Sequence, residues 1–94
     1  MGSRPRKGSG GRGYTPPPKE LPGFAGLVRV KPKTPRSGGG LRPRWKDADG
    51  NIYEWDSQHG SLERYDSNGM HLGESDPNTG EALKPADPSR KVEP

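Results

Sequence analysis

Eight consecutive residues, Asp56-Ser57-Gln58-His59-Gly60-Ser61-Leu62-Glu63, put two carboxylates and an imidazole within reach of one another. A carboxylate takes a proton, an imidazolium gives one, and a nearby guanidinium stabilises an anionic phosphorane. Arg90 is the candidate for that cation, because its fork matches phosphate oxygens in pairs. Such a set suffices to transfer a phosphodiester onto its own 2′-hydroxyl. The same residues also suit a solvated polar turn, and spacing alone leaves both readings open. The second histidine, His71, reads as a strand residue beside a turn. With two separated histidines and no cysteine, no stretch has metal-ligand spacing, so neither a metal nor another cofactor is expected.

The elements that must hold these groups are strands. Asn51 to Ser57 is rich in β-branched and aromatic residues, Leu62 to Asp66 is the next candidate, and Met70 to Glu74 a third. Asp49-Gly50 and Asn68-Gly69 are hairpin turn signals. With Gln58 to Ser61 as the loop, Asp56 is expected to face Glu63 across the ladder. Their Cβ atoms would then lie about 5 Å apart, where like charges repel and one carboxyl pKa rises. Upstream, Arg42, Arg44 and Lys46 alternate with Leu41, Pro43 and Trp45, which predicts one basic, solvated strand face. No long window has helical periodicity.

Only 23% of residues are hydrophobic, and there are 15 Gly and 12 Pro. The apolar residues cluster, however, in Leu21 to Val30 and in Trp45 to Leu83. Residues 1–20 read as a flexible basic linker with an artificial start, and residues 21–94 as one small domain. No apolar run is long enough to span a membrane, so stable membrane association is not expected. Charge is divided unevenly. Residues 1–46 hold twelve Lys/Arg and one acid, a net +11; residues 47–94 hold four Lys/Arg and eleven acids, a net −7. A basic half of that size points to nucleic acid or to an acidic partner.

Beyond composition, Lys33-Thr34-Pro35, Gly38-Gly39-Gly40, Arg44-Trp45 and the block Ile52-Tyr53-Glu54-Trp55-Asp56-Ser57-Gln58-His59-Gly60 resemble the cytotoxic ribonuclease domain of cloacin and the ribosome-inactivating E-type colicins. The similarity continues through Leu62-Glu63, Tyr65, His71-Leu72-Gly73, Asp76-Pro77, Thr79-Gly80, Leu83-Lys84, Asp87-Pro88 and Arg90. The resemblance implies a mainly β fold, a small and highly twisted antiparallel sheet with a short N-terminal helix. It implies a metal-independent endoribonuclease that cuts 16S ribosomal RNA of the 70S ribosome in the decoding A site. Asp56, His59, Glu63 and Arg90 take the family's catalytic positions. Arg42, Arg44, Lys46, Tyr53, Tyr65 and Lys84 are expected to bind RNA, with a core role open for Tyr53. A cognate acidic immunity protein is implied, as is release from a producing bacterium within a larger toxin that acts in the cytoplasm of the target cell. A toxin nuclease acting on transfer RNA and a non-enzymatic basic RNA-binding module are the alternatives. Departures from the pattern include Pro43, Arg64, and Ser61 where an acid is expected.

Overall fold

Four connections in the chain begin at an aspartate and close on a glycine: Asp47 with Gly50, Asp56 with Gly60, Asp66 with Gly69 and Asp76 with Gly80. In each, the aspartate Oδ1 accepts one or more backbone N–H groups two to four residues ahead. In each, the glycine N–H returns to the aspartate carbonyl. The side chain thus replaces a missing backbone partner, and the glycine takes the positive φ that ends the turn, as at Gly60 with φ 66°.

These turns fold the chain back on itself repeatedly. The computed structural model describes residues 14–94, and the linker assigned to residues 1–20 lies largely outside them. Six strands follow in order: β1 (Val28–Val30), β2 (Arg44–Lys46), β3 (Ile52–Asp56), β4 (Ser61–Tyr65), β5 (His71–Ser75) and β6 (Ala82–Lys84). They form one antiparallel sheet in which every strand pairs with its sequence neighbours. The mainly β expectation holds. The short N-terminal helix is absent among the described residues. Leu21 to Phe24 makes a single turn, closed by the Phe24 N–H on the Leu21 carbonyl at 2.9 Å. Pro22, Gly23 and Gly26 deny it the run of good helix formers that a longer helix needs.

Alternation along β3 divides the sheet into two faces. Trp45, Tyr53, Trp55 and Leu62 form the apolar core, covered by Leu21, Phe24 and Leu27 from the N-terminal segment. Burial of each large core side chain contributes about 1.5–3 kcal/mol. The chain is already tied down at Thr15, inside the stretch read as linker. The Thr15 N–H donates to the Ser57 carbonyl at 2.6 Å, and the Trp55 indole N–H to the Thr15 carbonyl at 2.8 Å.

The other face is polar and nearly as buried. One row of directly paired residues crosses all six strands: Val30, Arg44, Glu54, Glu63, Glu74 and Lys84. Three carboxylates therefore stand side by side, bracketed by cations. Opposed like charges destabilise a sheet, so each must find its own relief.

Candidate active site

The pairing of β3 with β4 differs from the expected register. Trp55 faces Leu62, Asp56 faces Ser61, and Glu63 faces Glu54. Asp56 is a diagonal neighbour of Glu63 rather than its opposite. The reason is the turn. Asp56 closes on Gly60 at 2.7 Å, which makes Ser57 to Gly60 the loop and advances the pairing. Because the displacement preserves parity, every side chain stays on its expected face, and the two acids still share a site.

Asp56 does two jobs with its two oxygens. Oδ1 accepts the Gln58 and His59 N–H groups at 2.9 and 3.1 Å, and Oδ2 lies 2.8 Å from His59 Nδ1. Asp47 divides its oxygens in a similar way, with Oδ2 accepting from Asn51 Nδ2 and the Tyr53 hydroxyl, but only Asp56 engages an imidazole. Burial acts to raise the Asp56 carboxyl, but the amides of His59 and Gln58, then the charges of His59 and Arg42, outweigh it and hold the group below its ordinary value of 3.8. Asp56 is therefore not a carboxyl raised by repulsion. A depressed folded pKa means that the stabilisation is complete above the unfolded value and is lost as pH falls through the lower folded one. Hence the advantage in Tm of the parent over Asp56→Asn should be constant from pH 7 to about 5 and shrink only below about 4. Thermal melts of both proteins across that range check this; an advantage lost near neutrality would contradict it.

His59 is half exposed, with 54% of its side chain accessible. Its Nδ1 is engaged by Asp56, and Nε2 has no partner among the described residues. Glu63, by contrast, is buried and held through one oxygen. Its Oε1 accepts from His71 Nε2 at 2.8 Å and from Arg90 Nη1 at 3.4 Å, while Oε2 carries no hydrogen bond among the described residues. Arg90 also donates to the Tyr65 hydroxyl at 3.1 Å. Burial works against the Arg90 cation, but Tyr65 and Glu63 more than offset it and raise its pKa further.

These groups line one open cavity of about 570 Å³ together with Arg42, His71, Glu74, Lys84 and the segment from Pro85 to Pro88. Four candidate catalytic residues, Asp56, His59, Glu63 and Arg90, are thus brought together. Arg42 and Lys84 reach the same cavity. Asp56, His59 and Glu63 each place one donor atom within 4.8 Å of the others, a proximity that chain spacing did not reveal. The Arg90 guanidinium lies beside this group, with Nη1 3.4 Å from Glu63 Oε1.

Several expected RNA contacts are placed elsewhere. Arg44 is only 1% exposed, and its Nε and Nη2 both donate to Glu54 Oε2, at 3.0 and 2.7 Å. It is a buried ion-pair partner rather than part of a solvated basic face. Tyr53 lies on the opposite face, in the core against Phe24, with its hydroxyl donating to Asp47 at 3.0 Å. Burial, then the hydrogen bond to Asp47, push its phenol up to about 12. Tyr65 is on the site face but buried, packed edge-on to His71. Lys46 is half-buried at the end of β2.

Two residues at the cavity were not singled out as part of it. His71 reaches Glu63 because the Asn68-Gly69 turn pairs it with Tyr65. Glu74 faces Glu63, accepts from the Ser61 hydroxyl, and lies 3.9 Å from His59 Nδ1 and 3.7 Å from Lys84 Nζ. An acid does therefore stand beside Ser61, supplied by β5.

The family described as Cytotoxic matches residues 15–93. Colicin-E6 of Escherichia coli is 50% identical over 97 residues, 96% of this chain and 18% of the relative. Cloacin of Escherichia coli is 50% identical over 96 residues, 95% of this chain and 17% of the relative. Colicin E3 of the same species is 50% identical over 97 residues. The chain spans less than a fifth of the length of these relatives. The family match over residues 15–93 and the identity to these relatives show that the chain belongs to the Cytotoxic family, the toxin domain of the cloacin and E-type colicin group.

Proposed function

We propose that this chain is the endoribonuclease unit of a bacterial toxin and that it cuts 16S ribosomal RNA in the decoding A site, stopping translation. The observation that supports this most strongly is the convergence of Glu63, His59 and Arg90 on one open cavity rimmed by Arg42 and Lys84. Glu63 Oε2 takes the proton of the 2′-hydroxyl. The 2′-oxygen attacks phosphorus, the bond from phosphorus to the 5′-oxygen breaks, and His59 Nε2 protonates the leaving oxygen. Asp56 keeps Nδ1 occupied, so Nε2 is the nitrogen presented to the leaving group. Arg90 stabilises charge on the phosphorane. The products are a 2′,3′-cyclic phosphate and a 5′-hydroxyl.

The remaining assignments follow from family and charge. The basic N-terminal half draws the domain to the ribosomal polyanion, with Arg42, Lys46 and Lys84 as phosphate contacts. An acidic immunity protein protects the producing cell. The unit leaves that cell within a longer toxin and acts in the cytoplasm of its target. Cleavage should persist in excess chelator on ribosomes kept intact by a non-chelated polyamine, and end groups should be cyclic phosphates. Strict dependence on an added divalent ion at the chemical step would overturn the mechanism.

A further inference from the structure

His71 is the joint between the two charged groups of the site. Its side chain is only 3% exposed. Nδ1 accepts the backbone N–H of Asp87 at 2.9 Å, and Nε2 lies 2.8 Å from Glu63 Oε1. Its own backbone N–H donates to the Arg90 carbonyl at 3.1 Å. One residue thus holds the carboxylate with its ring and the Arg90 segment with both ring and backbone. That segment is fastened further by the bridge between Met70 and Lys91 and by the Val92 N–H on the Gly69 carbonyl at 2.8 Å. Tyr65 packs edge-on against the ring and accepts from Arg90, which closes the circuit.

The tautomer follows from these partners. A nitrogen that accepts a backbone N–H cannot carry a proton, so the ring proton sits on Nε2 and is donated to Glu63. We propose that His71 is a positioning residue, locked as the neutral Nε2–H tautomer by Asp87, that orients Glu63 and sets Arg90 in register with it. Neutrality matters. A neutral donor fixes the carboxylate without adding a second full positive charge beside Arg90. Aiming Oε1 at His71 and Arg90 also leaves Oε2 as the oxygen offered to substrate. This role rests on the ribonuclease reading for its catalytic consequence, but its structural half stands independently.

The test has two arms. In the unaltered, ¹⁵N-labelled chain, long-range proton–nitrogen correlation separates the rings of the two histidines. His71 should show one protonated and one pyridine-like nitrogen, with the proton on Nε2. An Nδ1–H or imidazolium pattern would overturn the proposal whether or not any variant folds. In the second arm, His71→Leu and His71→Gln act on 70S ribosomes in single-turnover cleavage at saturating ribosome. His71→Leu should cut about 10²-fold more slowly with binding unchanged, the scale of loss for a misplaced catalytic group. His71→Gln, whose amide both donates and accepts, should restore at least a tenth of the parent rate. A His71→Leu protein that cuts at the parent rate would overturn positioning. If the tautomer is as stated and the parent fails to cut ribosomes, the ribonuclease reading falls instead.

Discussion

Glu63→Gln is expected to yield a folded protein whose ribosome cleavage is slower by about 10²–10⁴-fold, the contribution of a general base. The amide oxygen still accepts from His71 and Arg90, so the local geometry persists. What it cannot do is take the 2′-proton. Stability should change by less than about 1 kcal/mol, since weaker charge-assisted hydrogen bonds are offset by relief from two like-charged neighbours. Those neighbours are Glu54 and Glu74, which flank Glu63 on either side of β4. A thermal melt beside a cleavage assay separates the two effects. A destabilised variant that cuts at the parent rate would make Glu63 structural.

Arg44→Ala should have the opposite signature, a large loss of stability. Breaking a buried pair strands an uncompensated charge and costs about 3–5 kcal/mol. Glu54 is fully buried and would keep only the hydroxyl of Thr34, at 2.6 Å. A domain of this size has about 5–15 kcal/mol in all, so the variant should melt far below the parent. Replacing both partners, as in Arg44→Met with Glu54→Leu, should recover much of the loss. Arg44 Nη1 and Glu54 Oε1 have no hydrogen-bond partner among the described residues, so the native pair is itself imperfectly satisfied. Denaturant unfolding of the three proteins measures this. Equal midpoints for parent and Arg44→Ala would mean that the pair contributes nothing.

The Arg44 case shows where sequence reading reached and where it stopped. Alternation correctly placed Arg44 and Trp45 on opposite faces, because a strand offers no other choice. It could not show that Glu54, ten residues on, would cover the guanidinium. Tyr53 was expected at the RNA with a core role open, and strand parity settles it for the core: it shares its face with Trp55, and Asp56 lies on the other. The strongest strand and the Asp–Gly turns were visible from residue types. Register was not, since it depends on which atom closes the Asp56 turn. Placing His71 and Glu74 against Glu63 needed the β4–β5 pairing, which carries a bulge between Arg64 and Tyr65. Counting residues from the Asn68-Gly69 turn does not reveal that bulge. The N-terminal helix was an expectation of resemblance alone, and local Pro and Gly override it.

The central claim is that this site cuts ribosomal RNA at one place. Purified 70S ribosomes incubated with the parent chain, followed by mapping of every new RNA end, test it most directly. A single new end in the decoding region of 16S RNA is expected, bearing a cyclic phosphate and absent with Glu63→Gln. Intact 16S RNA, or a new end only in transfer RNA, would contradict the account.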